Sequence, residues 1–149
     1  MGNNNGYINE APQHTVEITN GFYISKYETT LASYIEFCRE TGRAKPTNSS
    51  LQKDAPVVGI SWLDAVYYCN WLSSSENLEP VYSFEGSRVE CDFSARGYRL
   101  PTEAEWEFAA STDTNGNKLT DEDGNTIMHA GSTEAAEVGW IKKNSNGYP

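Results

Sequence analysis

The stretch YRLPTEAEWEFAA (residues 98–110) limits this chain more than any other, because it places a helix start at a known residue. Thr102 is followed three positions later by Glu105. In that spacing each side chain satisfies a backbone N–H that the first helical turn leaves unpaired. Pro101 before the cap and Trp106 inside the helix are positioned to close over one another as a hydrophobic staple. Glu103 and Glu105 also meet the positive end of the helix dipole, so helix initiation accounts for these carboxylates without invoking catalysis. Glu107, one turn beyond Glu103, is expected on a solvated face.

The same logic finds two more helices. Thr30 is a cap for residues in which Leu31, Tyr34, Ile35 and Cys38 recur at helical spacing, with Gly42 placed to end the run. In PVVGISWLDAVYYCNWLSSSENLEPVYSF (residues 56–84), Ser61 and Asp64 form a second helix start. Trp62, Ala65, Val66, Cys69 and Leu72 then share one face, which predicts the principal core helix.

Strands are expected on either side of the helices. HTVEIT (residues 14–19) and FYISKYE (22–28) alternate polar and apolar residues around Asn20-Gly21, a hairpin signal. Short strands are expected at 80–84 and 88–93, and another at 137–141. Residues 43–54 are polar and read as a surface loop. STDTNGNKLTDEDGNTI (111–127) reads as a long loop or a hairpin with successive turns. This order of elements is α+β, with no βαβ rhythm, no GxGxxG and no phosphate-binding loop. A length of 149 residues suits one domain over 1–149.

The balance of charge narrows the partners. A net charge of −10 repels phosphate backbones and anionic lipid, so nucleic acid is an unsuitable partner. No apolar run is long enough for a membrane span, and the first residues lack the basic start and apolar centre of a signal peptide. The compartment stays open, an extracytoplasmic one included. Cys38, Cys69 and Cys91 have no CxxC spacing. Cys38 and Cys69 fall on helix faces expected to be buried, and a Cys69–Cys91 bridge is compatible with export. His14 and His129 stand in no catalytic motif and read as structural or surface residues. Asp121, Asp123 and Asn125 carry oxygen ligands at every second residue, as in a calcium loop. Gly124 is misplaced for an EF-hand, however, and no acid stands at the twelfth position, so turn chemistry explains the run as well.

The blocks FYISKYETTLASYIEFC, PVVGISWLDAVYYCNWLS and GYRLPTEAEWEFAA, in this order and spacing, resemble the formylglycine-generating enzyme (sulfatase-modifying factor) family. MGNNNGYINEAPQHTVEI is similar to the family's opening segment, and HAGSTEAAEVGWIKKNSNG to a later block. The resemblance implies a C-type-lectin-like fold of two main helices and an irregular mixed sheet, rich in loops. Catalytic relatives convert a sulfatase cysteine to formylglycine using copper(I) held by two cysteines, a soft ion on soft ligands. That pair belongs to the family's later half, and no residue here matches it. Cys69 corresponds to a cysteine that some relatives use structurally. Calcium ligands common in the family are expected near Trp140, where Ala135 and Ala136 replace an amide.

The family's Gly-Asn-Val-Trp-Glu-Trp block is also missing, so the chain is expected to be an incomplete, N-terminal portion of the domain. Its partners would then be the remainder of that domain or another chain, together with a protein or peptide ligand. Three functions follow from the resemblance: part of a copper-dependent oxidase, a non-catalytic ligand-binding module such as a diversity-generating retroelement variable protein, or an accessory domain.

Overall fold

The computed structural model describes residues 1–5, 8–47, 52–113, 117–120, 122–124, 127, 132 and 134–139. They fall into two compact units, one formed by Ser25–Leu100 and the other by Met1–Ile24 with Pro101–Pro149.

The Ser25–Leu100 unit is built on two helices, α1 (Leu31–Thr41) and α2 (Trp62–Ser75). The Thr30 hydroxyl accepts the Ser33 N–H at 3.3 Å. The two N–H groups before Ser33 go to a neighbouring loop, Leu31 to the Ala55 carbonyl and Ala32 to that of Lys53, both at 2.8 Å. Three otherwise orphaned donors at the start of α1 are thereby satisfied. Gly42 closes the helix at φ 70, a left-handed conformation that costs glycine little. The buried face is Leu31, Tyr34, Phe37 and Cys38, so Phe37 takes the place that periodicity assigned to Ile35.

Helix α2 starts on the expected reciprocal cap between Ser61 and Asp64. It ends in a Schellman motif. The Leu78 N–H reaches the Ser73 carbonyl at 2.8 Å and the Asn77 N–H reaches Ser74 at 3.1 Å, with Asn77 at φ 58. Two sides of this helix are buried rather than one. Tyr68 joins Tyr34, Phe37 and Cys38 in an aromatic cluster against α1, in which Tyr34 stacks on Tyr68 at 5.7 Å and Phe37 meets Tyr68 edge-on at 5.6 Å. Val66 and Cys69 join Val81 and Tyr82 in a second cluster, flanked by Val89, Cys91 and Leu100. Trp62, expected on the core face, is 58% exposed; with two stripes in use, the first turn of α2 lies outside both.

β1 (Tyr82–Glu85) and β2 (Arg88–Cys91) pair antiparallel, with Tyr82 opposite Cys91 and Glu85 opposite Arg88. The two-residue turn has Gly86 at φ 60, where a II′ turn places glycine. Polar side chains of α2 anchor this hairpin and the chain beyond it. Asn70 donates to the Tyr82 carbonyl at 2.7 Å and accepts the Tyr82 N–H at 3.0 Å, so its amide acts as a further strand residue. Ser73, fully buried, donates to the Cys69 carbonyl and accepts the Tyr98 N–H, both at 2.8 Å. Gly97 lies so close that an added Cβ would collide with the Glu79 carbonyl and the Ser73 hydroxyl.

In the other unit, α3 (Glu103–Ser111) carries the expected capping box. The Thr102 hydroxyl accepts the Glu105 N–H at 3.2 Å, and Glu105 accepts the Thr102 N–H at 2.8 Å. Beyond α3, Thr112 bridges Lys118 in the antiparallel sense, which gives the polar 111–127 segment a hairpin-like start. The first residues fold back on themselves, with the His14 N–H on the Met1 carbonyl at 3.0 Å and the Asn3 N–H on that of Glu10 at 3.1 Å.

Two strand expectations are corrected. Residues 14–19 and 22–28 form no ladder among the described residues. A tight Asn-Gly hairpin needs positive φ at both turn residues, and neither Asn20 nor Gly21 has it. Glu137 and Val138, expected in a strand, lie in the short helix α4 (Ala135–Val138). Glu137 accepts a hydrogen bond from the Ser132 hydroxyl at 2.7 Å, a local contact that competes with extension. Trp140 and Ile141 lie outside the described residues.

Replacing Asn70 by Ala removes both bonds to Tyr82 and leaves a partly buried peptide unit unpaired, so urea denaturation should report a loss of about 2–3 kcal/mol. Asn70→Asp keeps the acceptor but sets a carboxylate oxygen against the Tyr82 carbonyl, so its loss should shrink as pH falls and the protonated acid regains a donor.

Candidate functional site

A cleft of about 380 Å³, lined by Tyr34, Arg43, Lys45 and Asp64 among others, opens where the C-terminal end of α1 meets the start of α2. Its position follows from Gly42. The left-handed cap turns the chain so that the Arg43 N–H reaches back to the Cys38 carbonyl at 3.0 Å and the Arg43 side chain crosses to α2. There Nη1 lies 3.2 Å from Asp64 Oδ1. The guanidinium centre sits 3.9 Å from the centroid of the Tyr67 ring, and Phe84 stacks on Tyr67 at 4.4 Å. Two groups that near cannot share one face, so the Tyr67 ring lies between Phe84 and the Arg43 guanidinium. The other oxygen of Asp64 serves the helix cap, accepting from the Ser61 hydroxyl at 2.6 Å.

Tyr34 lines the cleft from below and is only 4% exposed. Burial raises its phenol pKa above the usual value, and the Asp64 carboxylate and Cys38 act in the same direction while Arg43 opposes them. Its hydroxyl is therefore a neutral donor. No hydrogen bond to it occurs among the described residues.

The thiols have a different character. Cys38 is buried and donates to the Ala44 carbonyl at 3.3 Å, and burial raises its pKa despite the opposing pull of Arg43. Cys69 is pushed up to about 11, chiefly by burial. It is unbridged here, with Cys91 in the same apolar cluster.

Two acids of the 98–110 stretch make structural contacts. Glu105 is buried at the cap. Glu107, expected to be solvated, instead accepts the Gly2 N–H at 3.0 Å, and this bond is the main cause of its lowered pKa. That contact joins residues 105 apart in sequence, and no local pattern announces it. Pro101 and Trp106 are both exposed, Trp106 at 62%. Of the calcium candidates, Asp123 is exposed in a turn with Gly124 at φ 82, while Asp121 and Asn125 lie outside the described residues. His14 is exposed, with Nδ1 3.0 Å from the Pro12 carbonyl, and His129 lies outside the described residues. Among the described residues, no three His, Cys, Asp or Glu side chains gather as a metal site. No helix there is long and apolar enough to cross a membrane.

The arrangement can be compared with known proteins. The family model described as the sulfatase-modifying factor enzyme 1-like domain matches residues 1–147. The chaperone protein LppX of Paenibacillus barcinonensis is 31% identical over 143 residues, covering 86% of this chain and 46% of LppX. The crystal structure of CarF is similar in fold, with a TM-score of 0.56 at 24% identity, over 73% of this chain and 50% of CarF. The chain thus spans about half the length of these relatives.

Two outcomes test this chemistry. At pH 8, iodoacetamide should label Cys69 about a hundredfold more slowly in the folded chain than in urea, followed by peptide mass shift. For Glu107 the folded pKa lies below the unfolded one, so its stabilisation is present above the ordinary carboxylate range and is lost as pH falls through the lowered value. Glu107→Gln should therefore lower the melting temperature at pH 7, and the two proteins should converge in acid.

Proposed function

The chain belongs to the sulfatase-modifying factor enzyme 1-like domain family, with the α+β fold of that family, and on that premise we propose that it acts as a non-catalytic binding or accessory module. The environment of its thiols carries this reading. Copper(I), implied by the resemblance to catalytic relatives, needs two thiolates facing one another. Cys38 and Cys69 lie in separate apolar clusters. Burial raises the pKa of both thiols, Cys69 to about 11, and Cys91 packs against the same cluster as Cys69. The resemblance puts the copper pair in the family's later half, which none of these cysteines matches, so no oxidative step is derived through the ion. The name of LppX, a chaperone protein, favours a protein or peptide as the partner of such a module.

A second reading assigns the whole protein to the copper-dependent oxidases that make formylglycine. The family match across residues 1–147 favours it, and the thiol pair would then come from polypeptide other than this chain.

Competition for copper(I) against bicinchoninate at neutral pH separates the two contributions. Residues 1–149 should leave the metal on the chelator and form no aldehyde on a sulfatase-derived cysteine peptide. Stoichiometric copper capture together with aldehyde formation would defeat the proposal.

A further inference from the structure

We propose that the cleft beside Arg43 binds a small organic monocarboxylate, its charged end held by Arg43, Lys45 and the Tyr34 hydroxyl. This assignment stands whether or not the whole protein is catalytic. Its starting point is the Tyr34 hydroxyl. A buried phenol almost always finds a partner, and the other buried tyrosines of this unit do. Tyr68 shares a 2.5 Å hydrogen bond with Ser33, and the Tyr82 hydroxyl accepts the Leu100 N–H at 3.0 Å. Tyr34, equally buried, has none among the described residues, yet it lines the cleft close enough to feel the charges of Asp64 and Arg43.

The cations supply the second observation. Arg43 engages Asp64 through one nitrogen and places its guanidinium centre over the Tyr67 ring, which leaves further donors for a ligand. Lys45 lines the same cleft and makes no ion pair among the described residues. Arg43 and Lys45 against Asp64 leave one net positive charge in a chain whose total is −10. That balance suits a monoanion. A phosphate dianion would be opposed both by Asp64 and by the field of the whole chain. A planar carboxylate matches the guanidinium fork, and Ile60 and Pro46 offer apolar surface for a short aliphatic body. The volume, near the lower end for ligand pockets, sets the scale of that body.

Amide resonances of isotopically labelled residues 1–149 should be followed by NMR during titration with 4-methylpentanoate, with its neutral amide, and with inorganic phosphate. The carboxylate should shift signals of residues 43–45, 47 and 59–60 with a dissociation constant on the order of millimolar. The amide and phosphate should bind at least about tenfold more weakly. Tyr34→Phe should weaken the carboxylate about tenfold while leaving the melting temperature unchanged or higher, since it removes a buried hydroxyl that has no partner among the described residues. Arg43→Gln should weaken it further. Equal binding of carboxylate and amide, equal binding of phosphate, no response to carboxylate, or unchanged affinity in Tyr34→Phe would each overturn the assignment. Because Tyr34→Phe preserves ring packing, its result does not depend on how well Arg43→Gln folds.

Discussion

The Ser25–Leu100 unit depends on the polar side chains that α2 directs at neighbouring backbone. Asn70 pairs with both main-chain groups of Tyr82, and Ser73 bridges its own helix to the Tyr98 N–H. Buried peptide groups without partners cost more than a made hydrogen bond gains, so these contacts act as positional constraints on β1 and on the chain at Gly97. The hydrophobic cluster of Val66, Cys69, Val81 and Tyr82 then closes over a backbone already placed. The hairpin is too short to stand alone, and α2 supplies what a third strand would otherwise provide.

The same helix separates two chemistries. Its aromatic side packs Tyr68 against α1 and carries Tyr67, whose ring supports Arg43. Its aliphatic side hides Cys69. Burial acts on both, but with opposite consequences. It silences the thiol by disfavouring the thiolate. In the Tyr34 hydroxyl it creates a demand for a hydrogen-bond partner that no described residue meets, next to two cations that Asp64 only partly offsets. Quiet thiols and a cleft of unbalanced charge are the two features on which the proposed binding role rests, and the fold by itself fixes no function.

Much of the local structure was legible. All three long helices begin at the residues that capping chemistry selects, Thr30, Ser61 and Thr102, because each cap is completed within three residues of itself. Short strands were legible near 82–85 and 88–91, whereas their pairing about the turn at Gly86 came from the fold. The site was less so. Residues 43–54 read as a surface loop, and nothing in their composition marks Arg43 or Lys45, because the cleft exists only once α1 and α2 are side by side. Phe37 in place of Ile35, and Trp62 exposed, are departures of the same origin. A helix with two packing neighbours obeys two periodicities, and a single-face pattern averages them.

The linear order of residues therefore determined where helices start and stop, the acidic balance, and the family to which the chain belongs, since each rests on contacts a few residues apart or on recurring blocks. Tertiary structure decided which side chains are relieved of structural duty. Glu107 was committed to Gly2, Ser73 to Tyr98 and Asp64 to Arg43, while the Tyr34 hydroxyl has no partner among the described residues. Those assignments join residues between 21 and 105 positions apart. They depend on distances set by packing, which no local pattern encodes.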